Sequence, residues 1–78
     1  MPRFFFHLHE ETVLLDPEGQ EFPSAEAARE AAVTMAREIA CSEVRQGHLG
    51  LNHRIEVTDA HDAPVVTIVF KDAIKLHP

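Results

Sequence analysis

A chain of 78 residues has room for one hydrophobic core, so we predict a single small domain over residues 1–78. A net charge of -6 argues against binding to nucleic acid, which draws on clustered Lys and Arg. No apolar run is long enough to span a membrane, and a single cysteine excludes an internal disulfide. We therefore expect a cytoplasmic protein without membrane contacts.

The first predicted strand, Arg3–His9, carries different residues on its two faces. Alternation puts Phe4, Phe6 and Leu8 on one face and Phe5, His7 and His9 on the other. Thr12–Leu15 is predicted as a returning strand. Asp16–Gly19 then reads as a tight turn, since Pro presets φ and Gly accepts a positive φ.

One long amphipathic helix is predicted between Pro23 and Gly47. Ser24 suits the N-cap, and Gly47 can take the left-handed conformation that closes many helices. The main apolar stripe consists of Ala28, Ala31, Ala32, Met35, Ala36 and Ile39. A second, narrower stripe contains Val33, Ala40 and Val44. Small alanines let a helix approach a sheet closely, so we expect the phenylalanines to supply the bulk of the core.

Two further strands are predicted after the helix, Arg54–Asp59 and Val65–Phe70, and Lys71–Pro78 is predicted as a tail. The resulting order β-β-α-β-β indicates an α+β fold with a four-stranded sheet and one helix on one face. The first and last strands are apolar on both sides, which favours placing them together in the centre. That gives a β-grasp-like order 2-1-4-3 with a parallel central pair. A fully antiparallel order 2-1-3-4 is the alternative.

Several segments carry a resemblance: MPRFFFHL (Met1–Leu8), the turn Asp16–Gly19, the helix rich in Ala and Arg, and RIEVTD (Arg54–Asp59). Together they resemble a family of short bacterial domains of unknown function, common in rhizobia and related soil bacteria, whose start reads MPR, two Phe or Tyr, then FHL. The resemblance implies a cytoplasmic bacterial protein and transfers no activity. A looser similarity of architecture links the chain to small antitoxins with a partial RNase H-like fold.

His7 and His9 form the candidate metal site, because they share one face of a strand two residues apart. Glu11 could extend that row, and further ligands would have to come from His53, His61 or His77. The interpretation that we favour is that both histidines are partly exposed residues of a sheet face and bind no metal.

The main functional signal is that the predicted strands carry apolar residues on both faces, whereas one helix covers only one face of a small sheet. The candidate interface residues are Phe5, Val65 and Val69 on the sheet and Val33 and Val44 on the helix. An exposed apolar face rimmed by His and Glu would be covered by a second copy or by another protein.

No phosphate loop, nucleophile elbow or catalytic triad is present in the sequence, so we predict no enzyme activity and no cofactor. The favoured function is a small interaction domain that forms a homodimer. The alternatives are a metal-binding protein that uses His7 and His9, and an antitoxin-like regulatory partner of another protein.

Overall fold

A long helix, α1 (Ala25–Arg45), packs on an antiparallel sheet in a computed structural model that describes residues 1–78. The strands are β1 (Arg3–His9), β2 (Val13–Leu14), β3 (Gln20–Glu21), β4 (Arg54–Asp59) and β5 (Pro64–Val69), and a short helix α2 (Phe70–Ala73) follows. The predicted α+β class is confirmed. Neither helix has both the length and the apolar character needed to cross a bilayer.

Both ends of α1 follow the predicted capping signals. Ser24 is the N-cap, and its Oγ accepts the Ala27 N–H at 3.1 Å. At the other end Gly47 has φ of 91°, a left-handed conformation that glycine adopts without steric cost. The helix therefore begins and ends where local hydrogen bonding and backbone freedom dictate.

The buried stripe of α1 differs from the predicted one. Its buried residues are Ala28, Ala32, Ala36, Ala40 and Glu43. Ala40 belongs to the second predicted stripe, whereas Ala31, Met35 and Ile39 of the predicted main stripe are only half-buried. Rows of residues four apart are inclined to the helix axis, so a helix that crosses a twisted sheet can bury such a row.

The sheet order is β2-β1-β4-β5, with β3 pairing the opposite end of β1 from β2. The β-grasp-like order with a parallel central pair is therefore wrong, and the antiparallel alternative is confirmed for the four predicted strands. β3 makes the sheet five-stranded instead of four-stranded. β1 and β4 form the centre, with Phe6 opposite Val57 and Leu8 opposite Ile55. β5 lies at an edge because the short turn after Asp59 pairs it with β4 as a hairpin.

The core lies between the alanine row of α1 and one face of the sheet. Phe4 and Phe6 are buried there, as predicted. The Phe22 ring packs against the Phe6 ring in an edge-to-face arrangement, with ring centroids 5.7 Å apart. Ile55, Val57 and Phe70 are its largest fully buried side chains. Large sheet residues thus fill the space that small helix residues leave.

The C-terminal segment is not a simple tail. Phe70–Ala73 forms α2, which packs against α1 and buries Phe70 and Ala73. Arg37 Nε of α1 donates a hydrogen bond to the Ala73 carbonyl oxygen at 2.8 Å. Ile74 packs against the core, whereas Leu76 is exposed. Because Phe70 is buried, the segment after β5 packs against α1 instead of extending into solvent.

Candidate functional site

His7 is buried on the face of the sheet that lies away from α1. Its Nε2 lies 3.0 Å from Thr58 Oγ1, and its Nδ1 accepts the Asp16 N–H at 3.1 Å. Because a backbone N–H can only donate, Nδ1 is the acceptor and Nε2 is left to donate to Thr58. Only 9% of His7 is exposed, so the expectation of a partly exposed residue is wrong for this histidine.

His9 lies on the same outer face and has its own partners. Its Nε2 lies 3.3 Å from Glu56 Oε1, and its Nδ1 lies 3.3 Å from Arg54 Nη2. No third His, Cys or carboxylate joins both His7 and His9 within metal-ligand distance. A metal site on this strand therefore stays a prediction that no third ligand supports.

The outer sheet face, which lies away from α1, is more polar than the alternation of residues along the predicted strands indicated. Arg54, Glu56 and Thr58 of β4 project from it between the outward residues of β1 and β5. Phe5 is half-buried and packs over Gly19, where an added Cβ would lie 2.8 Å from the Phe5 ring. A polar centre flanked by a partly covered Phe5 is not the apolar face that we expected.

Two of the predicted interface residues meet in one groove. Val33 of α1 and Val69 of β5 line a cavity of about 330 Å³ between the helix and the edge strand. Its other lining residues are Arg29, Arg37, Val66, Thr67, Ile68, Asp72 and Ala73. Val65 is half-buried on the same strand, whereas Val44 is exposed near the end of α1 and does not line the groove.

β5 is the one long strand edge without a partner. Its only paired strand is β4. The opposite side of the sheet ends in β2 and β3, which are two residues each. Edges are normally blunted by shortness, charge, proline or a bulge. In β5 the proline and the bulge lie only at its start, and the sequence PVVTIV has no charge.

A polar cluster that the sequence analysis missed lies at the C-terminal end of α1. It consists of Glu10 after β1, Glu43 in α1 and His53 before β4, and their ligand atoms all lie within 4.8 Å of one another. Glu43 Oε2 is 2.9 Å from His53 Nδ1, and Glu10 Oε2 is 3.8 Å from the same nitrogen. Three segments distant in the chain thus bring titratable groups to one point.

The loop between α1 and β4 holds this cluster in place. The Gly50 N–H donates to Glu43 Oε1 at 2.8 Å, which leaves Oε2 for His53. A Cβ at Gly50 would overlap the His53 ring, so glycine is required for the close approach. The His53 ring also packs edge-on against Phe70, with centroids 5.8 Å apart.

The pKa values of the cluster separate its members. Burial raises the pKa of Glu10, and a hydrogen bond to Glu43 adds to the effect. Burial opposes ionisation of Glu43, but hydrogen bonds from Gly50, His53 and Glu10 outweigh it and lower the pKa of Glu43. The hydrogen bond to Glu43 raises the pKa of His53. Glu43 is therefore the ionised centre of the cluster, which favours the charged form of His53.

One sequence signal could have revealed Glu43. It lies three residues, or nearly one helical turn, after Ala40 and so stays on the face of α1 that packs against the sheet, at a position where a charge is costly unless it is paired. Nothing comparable marks Glu10 or His53, because their approach depends on how the loops fold.

The fold and the two sites define a small α+β domain with an open sheet edge on one side and a Glu–Glu–His cluster on the other. Residues 3–71 match the family described as Domain of unknown function (DUF6894), and the chain belongs to that family. No curated protein and no solved structure matches the chain significantly.

Proposed function

We propose that this domain is a non-catalytic binding module that forms a symmetric homodimer by pairing β5 with β5 of a second copy. The observation that supports this proposal most is the unpaired, uncharged edge of β5, which lies beside a groove lined partly by valine and isoleucine side chains. Antiparallel pairing about a twofold axis lets the same strand serve both partners and joins the two sheets into one.

The groove supplies the side-chain contacts that backbone pairing alone lacks. Val33, Val66 and Ile68 are half-buried or buried around it. Its rim carries Arg29 and Arg37 with Asp72, so both signs of charge are present on one surface. Charges of both signs suit a self-complementary interface, since each patch meets its own copy.

The test compares two identical substitutions at exposed threonines. Thr67→Lys puts a charge on β5, where the two copies would bring like charges together, whereas Thr12→Lys lies at the β1–β2 turn. Sedimentation at micromolar concentration should give a dimer for the parent and for Thr12→Lys, and a monomer for Thr67→Lys. A parent of monomer mass would contradict the homodimer, and a dimer of Thr67→Lys would place the interface elsewhere.

The same edge supports the alternative of an antitoxin-like regulatory role, in which an extended segment of another protein pairs with β5. A parent of monomer mass would favour it. A bacterial source and a cytoplasmic location remain part of the proposal, resting on the resemblance of the opening MPRFFFHL and on the single cysteine.

A further inference from the structure

We propose that Glu10, Glu43 and His53 bind a divalent first-row transition-metal ion such as Zn²⁺. The donor set combines two carboxylates with one imidazole, a mixture that zinc and manganese sites use. No part of the dimer proposal depends on this site, which lies at the C-terminal end of α1 and shares no lining residue with the groove at Val33.

The donor atoms lie near the spacing that such an ion requires, with Glu10 the farthest from it. Metal–ligand bonds of about 2.0–2.2 Å put neighbouring ligand atoms roughly 3.0–3.6 Å apart. In the cluster the distances from His53 Nδ1 are 2.9 Å to Glu43 Oε2 and 3.8 Å to Glu10 Oε2. A rotation of the Glu10 side chain towards His53 would bring the three donor groups around an ion.

Two of the ligands are oriented before any ion arrives. The Gly50 N–H holds Glu43 Oε1 and so directs Oε2 towards His53. Phe70 and the Gly50 backbone confine the imidazole ring. Hydrogen bonds to the far side of a ligand usually serve this purpose in metal sites, and removing them weakens binding.

The surroundings of the cluster favour a cation and leave it accessible. A cavity of about 490 Å³ opens beside it, and Glu11, Glu38 and His48 line it together with the three residues of the cluster. This lining contains four glutamates and neither lysine nor arginine. A surplus of negative charge attracts a divalent cation, and the cavity leaves room for water in the remaining coordination positions.

A test on the unaltered chain avoids variants that fail to fold. Protein without an affinity tag is titrated with Zn²⁺ by calorimetry, and then with Mn²⁺ while NMR follows the imidazole protons. One ion per chain should bind, and Mn²⁺ should broaden His53 and the Gly50 amide before any other signal. Broadening centred on His7 and His9 would overturn the assignment, as would the absence of Zn²⁺ binding.

Variants then separate ligation from a purely structural ion pair. Glu10→Gln changes the most exposed ligand, so it should keep the fold and weaken Zn²⁺ binding at least tenfold. His61→Gln, an exposed histidine in the β4–β5 turn, is the matched control and should bind like the parent. If Glu10→Gln folds and binds Zn²⁺ as tightly as the parent, the cluster is only an ion pair and the proposal fails.

Discussion

Glu43 Oε2 lies 2.9 Å from His53 Nδ1, and this contact joins the end of α1 to the residue that precedes β4. The other oxygen of the same carboxylate accepts the Gly50 N–H. One buried side chain thereby fixes the path of the loop between the helix and a central strand. A carboxylate in this position stabilises the fold only while its partners remain.

Glu43→Gln tests how strongly this carboxylate holds the loop. The amide keeps one acceptor oxygen but loses the charge that His53 faces. Loss of a hydrogen bond between charged groups costs about 1.5–3 kcal/mol, and we expect that loss in the free energy of unfolding. Urea denaturation near pH 6 measures it. Glu30→Gln, exposed on the same helix, should change stability by less than about 0.5 kcal/mol. Equal effects of the two variants would contradict the assignment.

Gly50→Ala and Gly47→Ala should differ in kind. At Gly50 the added Cβ overlaps the His53 ring, so the ring must move and its NMR signals should shift. At Gly47 no atom lies within 4 Å of the added Cβ, and the cost comes from a φ of 91°. That strain is about 1–2 kcal/mol and should leave the His53 signals in place. Unchanged His53 signals in Gly50→Ala would show that the loop relaxes without moving the ring.

Phe6→Ala should leave the chain largely unfolded at 25 °C. Phe6 is 8% exposed and packs against Phe22 and the alanine row. Truncation of such a side chain costs about 3–5 kcal/mol, which is close to the whole stability expected of so small a domain. Circular dichroism during thermal denaturation measures the effect. Phe5→Ala, on the half-buried outer face, is the comparison and should still melt cooperatively.

In the Asp16→Asn variant, the free energy of unfolding should depend less on pH in the acidic range than it does in the parent. Burial opposes ionisation of Asp16, but the N–H groups of Gly19, Phe6 and Glu18 donate to its carboxylate, and His7 lies nearby, so the pKa of Asp16 is lowered from 3.8. A lowered pKa stabilises the fold above the ordinary value, and the gain is lost as pH falls through the folded pKa. The difference in unfolding free energy between parent and variant should therefore be largest at pH 5–7 and shrink below 3.8. A difference that stays constant down to low pH would contradict this origin.

Val44→Glu should not alter the mass of the proposed dimer. Val44 is 59% exposed and lies outside the groove that Val33 and Val69 share. Since a charge at an exposed helical position meets only water, both fold and association should persist in light scattering. Dissociation by this variant would move the interface to the C-terminal end of the helix.

Local signals in the sequence were sufficient for the long helix and the longer strands, though not for β3 and α2. Ser24 and Gly47 determined where the helix begins and ends, because capping hydrogen bonds and backbone freedom involve only nearby residues. Alternation along Arg3–His9 likewise assigned Phe4 and Phe6 to the core. A strand side chain's face follows from its position alone.

Only the tertiary structure decided the strand order and the polar cluster. Because the last strand is apolar on both faces, the sequence predicted that it lies in the centre of the sheet. In the structure β5 is an edge strand, and α1 and α2 partly cover its side chains. Glu10, Glu43 and His53 meet because β1, α1 and the following loop end at the same side of the molecule. Sequence spacing carries no such information, since contacts between distant segments depend on how the packed elements are arranged in space.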